Sequence, residues 1–140
     1  MLCFTTASSN VQIFAQGTDK VVVGYVTSWG NRIPDPTLVT HLNYAFGHVS
    51  NSFDSVRVDN PDRLRAIAAM KRENAGLKVM LSIGGWGSGR FSEMAADEHN
   101  RTSFARNCMQ AIKEYDLDGI DIDWEYPTSN EAGISFSPAD

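Results

Sequence analysis

Apolar residues gather in four short runs along the chain, separated by polar, glycine-bearing or proline-bearing stretches. The runs are VVVGYVTSW (21–29), HLNYAFGHV (41–49), KVMLSIGGW (78–86) and GIDIDWEY (119–126). Their length and their β-branched and aromatic content predict buried strands. Between them the period changes to that of a helix. Asn60 is placed to cap one, with Pro61 at its first position. Leu64, Ile67, Ala68 and Lys71 follow at helical spacing, with the Lys71 stem laid along the same stripe, and Gly76 is the predicted stop. A longer helix is predicted from Asn100, with Phe104, Cys108, Ile112 and Tyr115 on one face. NRIPDP reads as a loop, which leaves the first crossover too short for a long helix. NSFDS reads as a polar turn, GSGRFSEMAADEHN as a loop with a short helical turn, and PTSNEAGISFSPAD as a loop. Strands alternating with helices predict βα units and a parallel sheet, an α/β fold.

The fourth run breaks the pattern of the others, because DLDGIDIDWEYP (116–127) holds Asp116, Asp118, Asp121, Asp123 and Glu125. Side chains alternate along a strand, so Asp121, Asp123 and Glu125 share one side, and Ile120, Ile122 and Trp124 share the other. The apolar row can pack under helices while the acidic row faces an enclosed interior. Same-side neighbours are about 6.5–7 Å apart, close enough for their side chains to interact. Three such carboxylates cannot all ionise cheaply, so at least one proton is expected to stay near neutral pH. A carboxyl that keeps its proton in a cleft can act as a general acid. Glu125 lies nearest the strand's C-terminal end, where parallel βα barrels carry their chemistry.

Other readings of the run fit less well. A solvent-facing edge would leave the apolar row unexplained, and also the glycines that end the third run. A calcium loop needs polar residues where Ile120, Ile122 and Trp124 stand. The Asp-x-Asp of a sugar-nucleotide transferase calls for a phosphate cradle, and no Gly-rich loop of that kind follows the first strand.

Composition narrows the field further. The net charge is −5 and no run of Lys and Arg could track phosphates, which argues against nucleic-acid binding. No stretch approaches the roughly 18 apolar residues of a membrane span. Cys3 reads as a free tail thiol and Cys108 as a buried core thiol. His41, His48 and His99 are scattered and read as surface or loop residues, so no metal is implied. Two readings fit the first 20 residues. The small-residue stretch and the FAQ end match the last part of a secretion signal, which would make the protein secreted or periplasmic, and a disordered tail fits equally.

DGIDIDWEYP resembles the signature of glycoside hydrolase family 18, the chitinases and their relatives, and SIGGW (82–86) resembles that family's second hallmark on the preceding strand. The resemblance runs from Val21 to the C-terminus. It implies a (β/α)8 TIM barrel and hydrolysis of β-1,4 bonds between N-acetylglucosamine units. The implied substrate is chitin or a chito-oligosaccharide, with no cofactor. By motif match Glu125 is the proton donor, Asp123 holds the substrate's N-acetyl group, and Asp121 shares a proton with Asp123. Asp118 takes a supporting role. The implied mechanism is retaining and substrate-assisted, in which the acetamido oxygen of the sugar is the nucleophile. Tyr25 and Ser82 match polar partners of the aspartates. Gly84 and Gly85 let a sugar approach the backbone, Trp86 and Tyr126 sit at strand ends where their ring faces can stack on a sugar, and Phe46, which closes the second strand, joins them as a substrate-binding candidate. The Ala45–Phe46 bond matches one that is often cis in the family. Alternatives within and beside the family are an endo-β-N-acetylglucosaminidase acting on N-glycans and a non-catalytic chitin-binding lectin. A closed barrel takes about 200–250 residues. The expectation is therefore a tail over 1–20 and the N-terminal half of a catalytic domain over 21–140. That half holds the first four strands and needs the C-terminal half for activity.

Overall fold

The computed structural model describes residues 20–140, so the expectations for the N-terminal tail and Cys3 lie outside the described residues. In chain order the elements are β1 (Val23–Thr27), β2 (His41–Val49), β3 (Val56–Val58), α1 (Pro61–Ala68) and a 3-10 turn (Ala69–Arg72). They continue with β4 (Lys78–Gly84), α2 (Phe91–Ala96), α3 (Glu98–Glu114) and β5 (Gly119–Asp123). The sheet order is β1-β2-β4-β5 with every pair parallel. This is the expected βα succession. As expected, residues 28–40 contain no helix.

The register decides which residues share a face. Tyr25, Asn43, Met80 and Gly119 lie side by side in one layer, and Thr27, Ala45, Ser82 and Asp121 form the next. Gly84 of β4 and Asp123 of β5 continue the row. The opposite face carries Val26, Leu42, Tyr44, Val79, Leu81 and Ile83, which pack with Leu64 and Ile67 of α1, Phe91 of α2, and Phe104 and Cys108 of α3. The chain thus puts its aliphatic residues beneath the helices and its small and polar ones on the inward face. Burial also pushes the Cys108 thiol up to about 11, as befits an inert core residue.

The caps explain where the helices start. The Asn60 side chain accepts from the Arg63 backbone N–H and donates to Ser28 O at 3.0 Å, so one residue caps α1 and ties it to the end of β1. Tyr44, fully buried, donates to the carbonyls of Asp59 and Asn60, which fixes the same junction to β2. Asp97 accepts from Asn100 N at 2.8 Å. That cap starts α3 at Glu98, two residues before the predicted start.

Several boundaries differ from the sequence reading. β1, β4 and β5 end at Thr27, Gly84 and Asp123, before the aromatic residues that close the apolar runs. Gly84 (φ +132°) and Gly85 (φ +92°) leave the extended region, which ends the β4 ladder. Gly76 does not stop the helix. Its φ is not positive, and the 3-10 turn has already closed the helix at Arg72. β3 is additional, pairing antiparallel with Gly47–Val49 of β2. Three residues are too few to show a period of two. His41 and His48 lie within β2, not on the surface or in loops.

Candidate active site

Asp121 is the best-held acid of the row. Its Oδ2 accepts from Ser82 Oγ at 2.7 Å and from Tyr25 Oη at 3.0 Å. Ser82 faces it from the adjacent strand and is fully buried. Tyr25 reaches it from β1, two strands further away. Both donors meet one oxygen, so Oδ1 has no protein donor among the described residues.

Asp123 is the last residue of β5, opposite Gly84. Its carboxyl is raised above the ordinary aspartate value, first by burial, then by the charges of Glu125 and Asp121. Asp123 thus has a carboxylate on either side. Glu125 stands past the strand end in a bend, half-buried. The bonds Ala45–Phe46, as expected, and Glu125–Tyr126 are cis.

Trp124 takes the helix side of the sheet and stacks on Phe91 of α2, with ring centroids 5.3 Å apart. The interior is therefore left to the acids. Gly84 and Gly85 sit at the top of β4, and the Phe46 ring lies against Gly85. Trp86, 66% exposed, meets Tyr126 edge-on at 6.2 Å. These two rings stand over the same strand ends as Glu125. Phe46 stands between Trp29 and His48, at 6.3 and 6.4 Å.

Asp118 belongs to the other end of the strand. It accepts from Val79 N at 2.9 Å and pairs with Lys78 at 3.1 Å and Lys71 at 3.5 Å. Burial raises its carboxyl, but the Val79 hydrogen bond and the two lysines outweigh that and hold it below the ordinary 3.8. A lowered folded value means the stabilisation is complete above pH 3.8 and is lost as pH falls through the folded value. Asp118→Asn is expected to lower the melting temperature at pH 7 and to flatten its fall below pH 3.8. Thermal unfolding followed across that range checks both.

Sequence reasoning missed Asn43. It is 2% exposed on the inward face beside Tyr25, and its Oδ1 has no partner among the described residues. The signal was present, since Asn43 shares its parity with Ala45. It was read only as part of an apolar run.

The family model of "Glycosyl hydrolases family 18" matches residues 21–138. "Probable chitinase 2" of Drosophila melanogaster is 33% identical over all of this chain, which covers 34% of that relative. The chitinase domain of the spore coat protein CotE from Clostridium difficile superposes with a TM-score of 0.80 at 35% identity, covering 97% of this chain and 38% of that one. A family 18 N-acetylglucosaminidase from Paenibacillus barengoltzii gives 0.77 at 42% identity, with 84% and 35% covered. The chain therefore spans about a third of the length of these relatives. The fold is that of the (β/α)8 barrel, of which the described residues hold four parallel strands. An inward acid row at the C-terminal end of a parallel strand and a family match over most of the sequence lead to one conclusion: the chain belongs to glycosyl hydrolase family 18.

Proposed function

We propose that residues 21–140 contribute the acid residues of a glycosidase that cuts β-1,4 bonds between N-acetylglucosamine units of chitin by the retaining, substrate-assisted route. The observation that carries this is the inward pair of Asp121 and Asp123, with Glu125 beside Asp123 just past the strand end and Asp121 anchored by Tyr25 and Ser82. Glu125 protonates the leaving oxygen and later takes a proton from water. Asp123, raised by burial and its neighbours, accepts from the sugar's acetamido N–H and turns the acetamido oxygen toward the anomeric carbon. The negative row stabilises the cation that forms as the bond breaks. Trp86 and Tyr126 offer ring faces to the sugar. Asp118 supports the start of the strand.

The fold supports a further part of this reading. The far side of β5 has no strand partner among the described residues, and Tyr25 on the inward face is 58% exposed. A closed barrel would cover both. The 140-residue chain alone is expected to show little turnover of a chromogenic chitobioside. Supplying the later strands, for example from the Paenibacillus relative, is expected to raise it. Turnover by the pure chain that added strands do not raise would refute this.

The 42% identity to that relative, described as an N-acetylglucosaminidase, favours a second reading in which single terminal sugars are removed. The products from chitopentaose separate the two: monomer from the outset for terminal cleavage, dimers and trimers for internal cleavage. Chitin is a large extracellular polymer, and one relative is a spore coat protein. Action outside the cytoplasm follows from the same proposal.

A further inference from the structure

His48 lies two residues beyond Phe46 on β2, with its side chain 20% exposed. Its Nδ1 is 2.8 Å from Ser88 Oγ, and its Nε2 is 3.0 Å from Asp59 Oδ2. Arg57 holds the other oxygen of Asp59. A carboxylate only accepts, so in the neutral ring Nε2 carries the proton and Nδ1 is left to accept from the Ser88 hydroxyl. The carboxylate thus fixes the tautomer that grips Ser88.

Ser88 belongs to the segment that follows β4, two residues past Trp86. That segment is built for bending, with Gly85 and Gly87 at φ +92° and +75°. Its backbone is tied by Gly85 N to Asp123 O at 2.9 Å and by Ser88 N to Gly85 O at 2.9 Å. The Ser88 hydroxyl adds a link from the segment to β2. The Phe46 ring, beside His48, lies under Gly85. Trp86 is thus bracketed by one contact before it and one after it, both from β2.

We propose that His48, oriented by Asp59, is a positioning residue that holds the Trp86 segment through Ser88 and so strengthens sugar binding, which rests on the sugar-site reading above. The whole 140-residue chain suffices to test it by NMR and by titration with chitotriose. Long-range proton–nitrogen spectra are expected to show His48 protonated at Nε2. Ser88→Ala and His48→Ala are each expected to shift and broaden the Trp86 indole resonance. His48→Gln, which can still accept from Ser88 and donate to Asp59, is expected to restore it. Chitotriose affinity is expected to fall about tenfold in either alanine variant, the scale of re-ordering a loosened segment. The double variant should lose no more than the single ones, because both break one link. An Nδ1-protonated ring, an unmoved Trp86 resonance in Ser88→Ala, or additive losses would overturn the proposal. Should the unmodified chain fail to bind chitotriose, the sugar-site reading suffers, while the tautomer and the Trp86 resonance still decide the positioning.

Discussion

Replacing Glu125 by Gln, in an active barrel that carries residues 21–140, is expected to lower kcat by about 10²–10⁴-fold, the usual contribution of a positioned acid–base group. The amide is nearly the same size as the carboxyl, so chitotriose affinity is expected to hold. Loss of turnover with retained binding is the signature of a group that acts as the bond breaks. A second effect accompanies it. Glu125 is one of the charges that raise Asp123, so its removal is expected to bring the Asp123 carboxyl down, and carbon-detected NMR titration would read that shift. A parent with no turnover before the substitution would be a binding protein instead. Unchanged turnover after it would remove Glu125 from the mechanism.

Gly84→Ala is expected to be the most damaging single change to the fold itself. A Cβ at this position would stand 1.9 Å from the carbonyl oxygen of Asp123, a backbone atom that cannot rotate away, and φ is +132°. β4 and β5 would have to part at the point where Asp123 is held. A loss of about 4 kcal/mol or more is expected, at the far end of single substitutions. Gly133→Ala is the control: φ is +71° but nothing lies within 4 Å, so about 1–2 kcal/mol is expected. Urea midpoints of the two variants, compared at equal m-value, measure the difference. Similar losses in both would show that backbone conformation decides the cost and the close approach of β5 does not.

The inward row was legible in the sequence because a strand's period is two and the register of β5 keeps it. Asp121 and Asp123 could be assigned a side, and with them Trp124 to the other. The meeting of Tyr25, Ser82 and Asp121 was reached through the family resemblance, since strands 57 and 39 residues apart along the chain carry no local sign of contact. Boundaries were less legible where aromatic residues sit just beyond a strand. Trp86 and Tyr126 have strand propensity, but glycines with positive φ, or the bend at Glu125, take them out of the ladder. His48 was misread for a related reason. A lone histidine has no period, and its partners Asp59 and Ser88 lie 11 and 40 residues away.

The two ends of β5 handle negative charge in opposite ways. Near its start Asp118 is neutralised by Lys71 and Lys78, whereas no cation pairs with Asp121, Asp123 or Glu125 among the described residues. The strand therefore runs from a compensated foot to a bare anionic crown. Amine groups left in a polysaccharide by loss of acetyl would be drawn to that crown, yet they lack the carbonyl oxygen that attacks in the proposed substrate-assisted route. Fully deacetylated polymer should accordingly compete with substrate rather than replace it, and added electrolyte should relieve the competition.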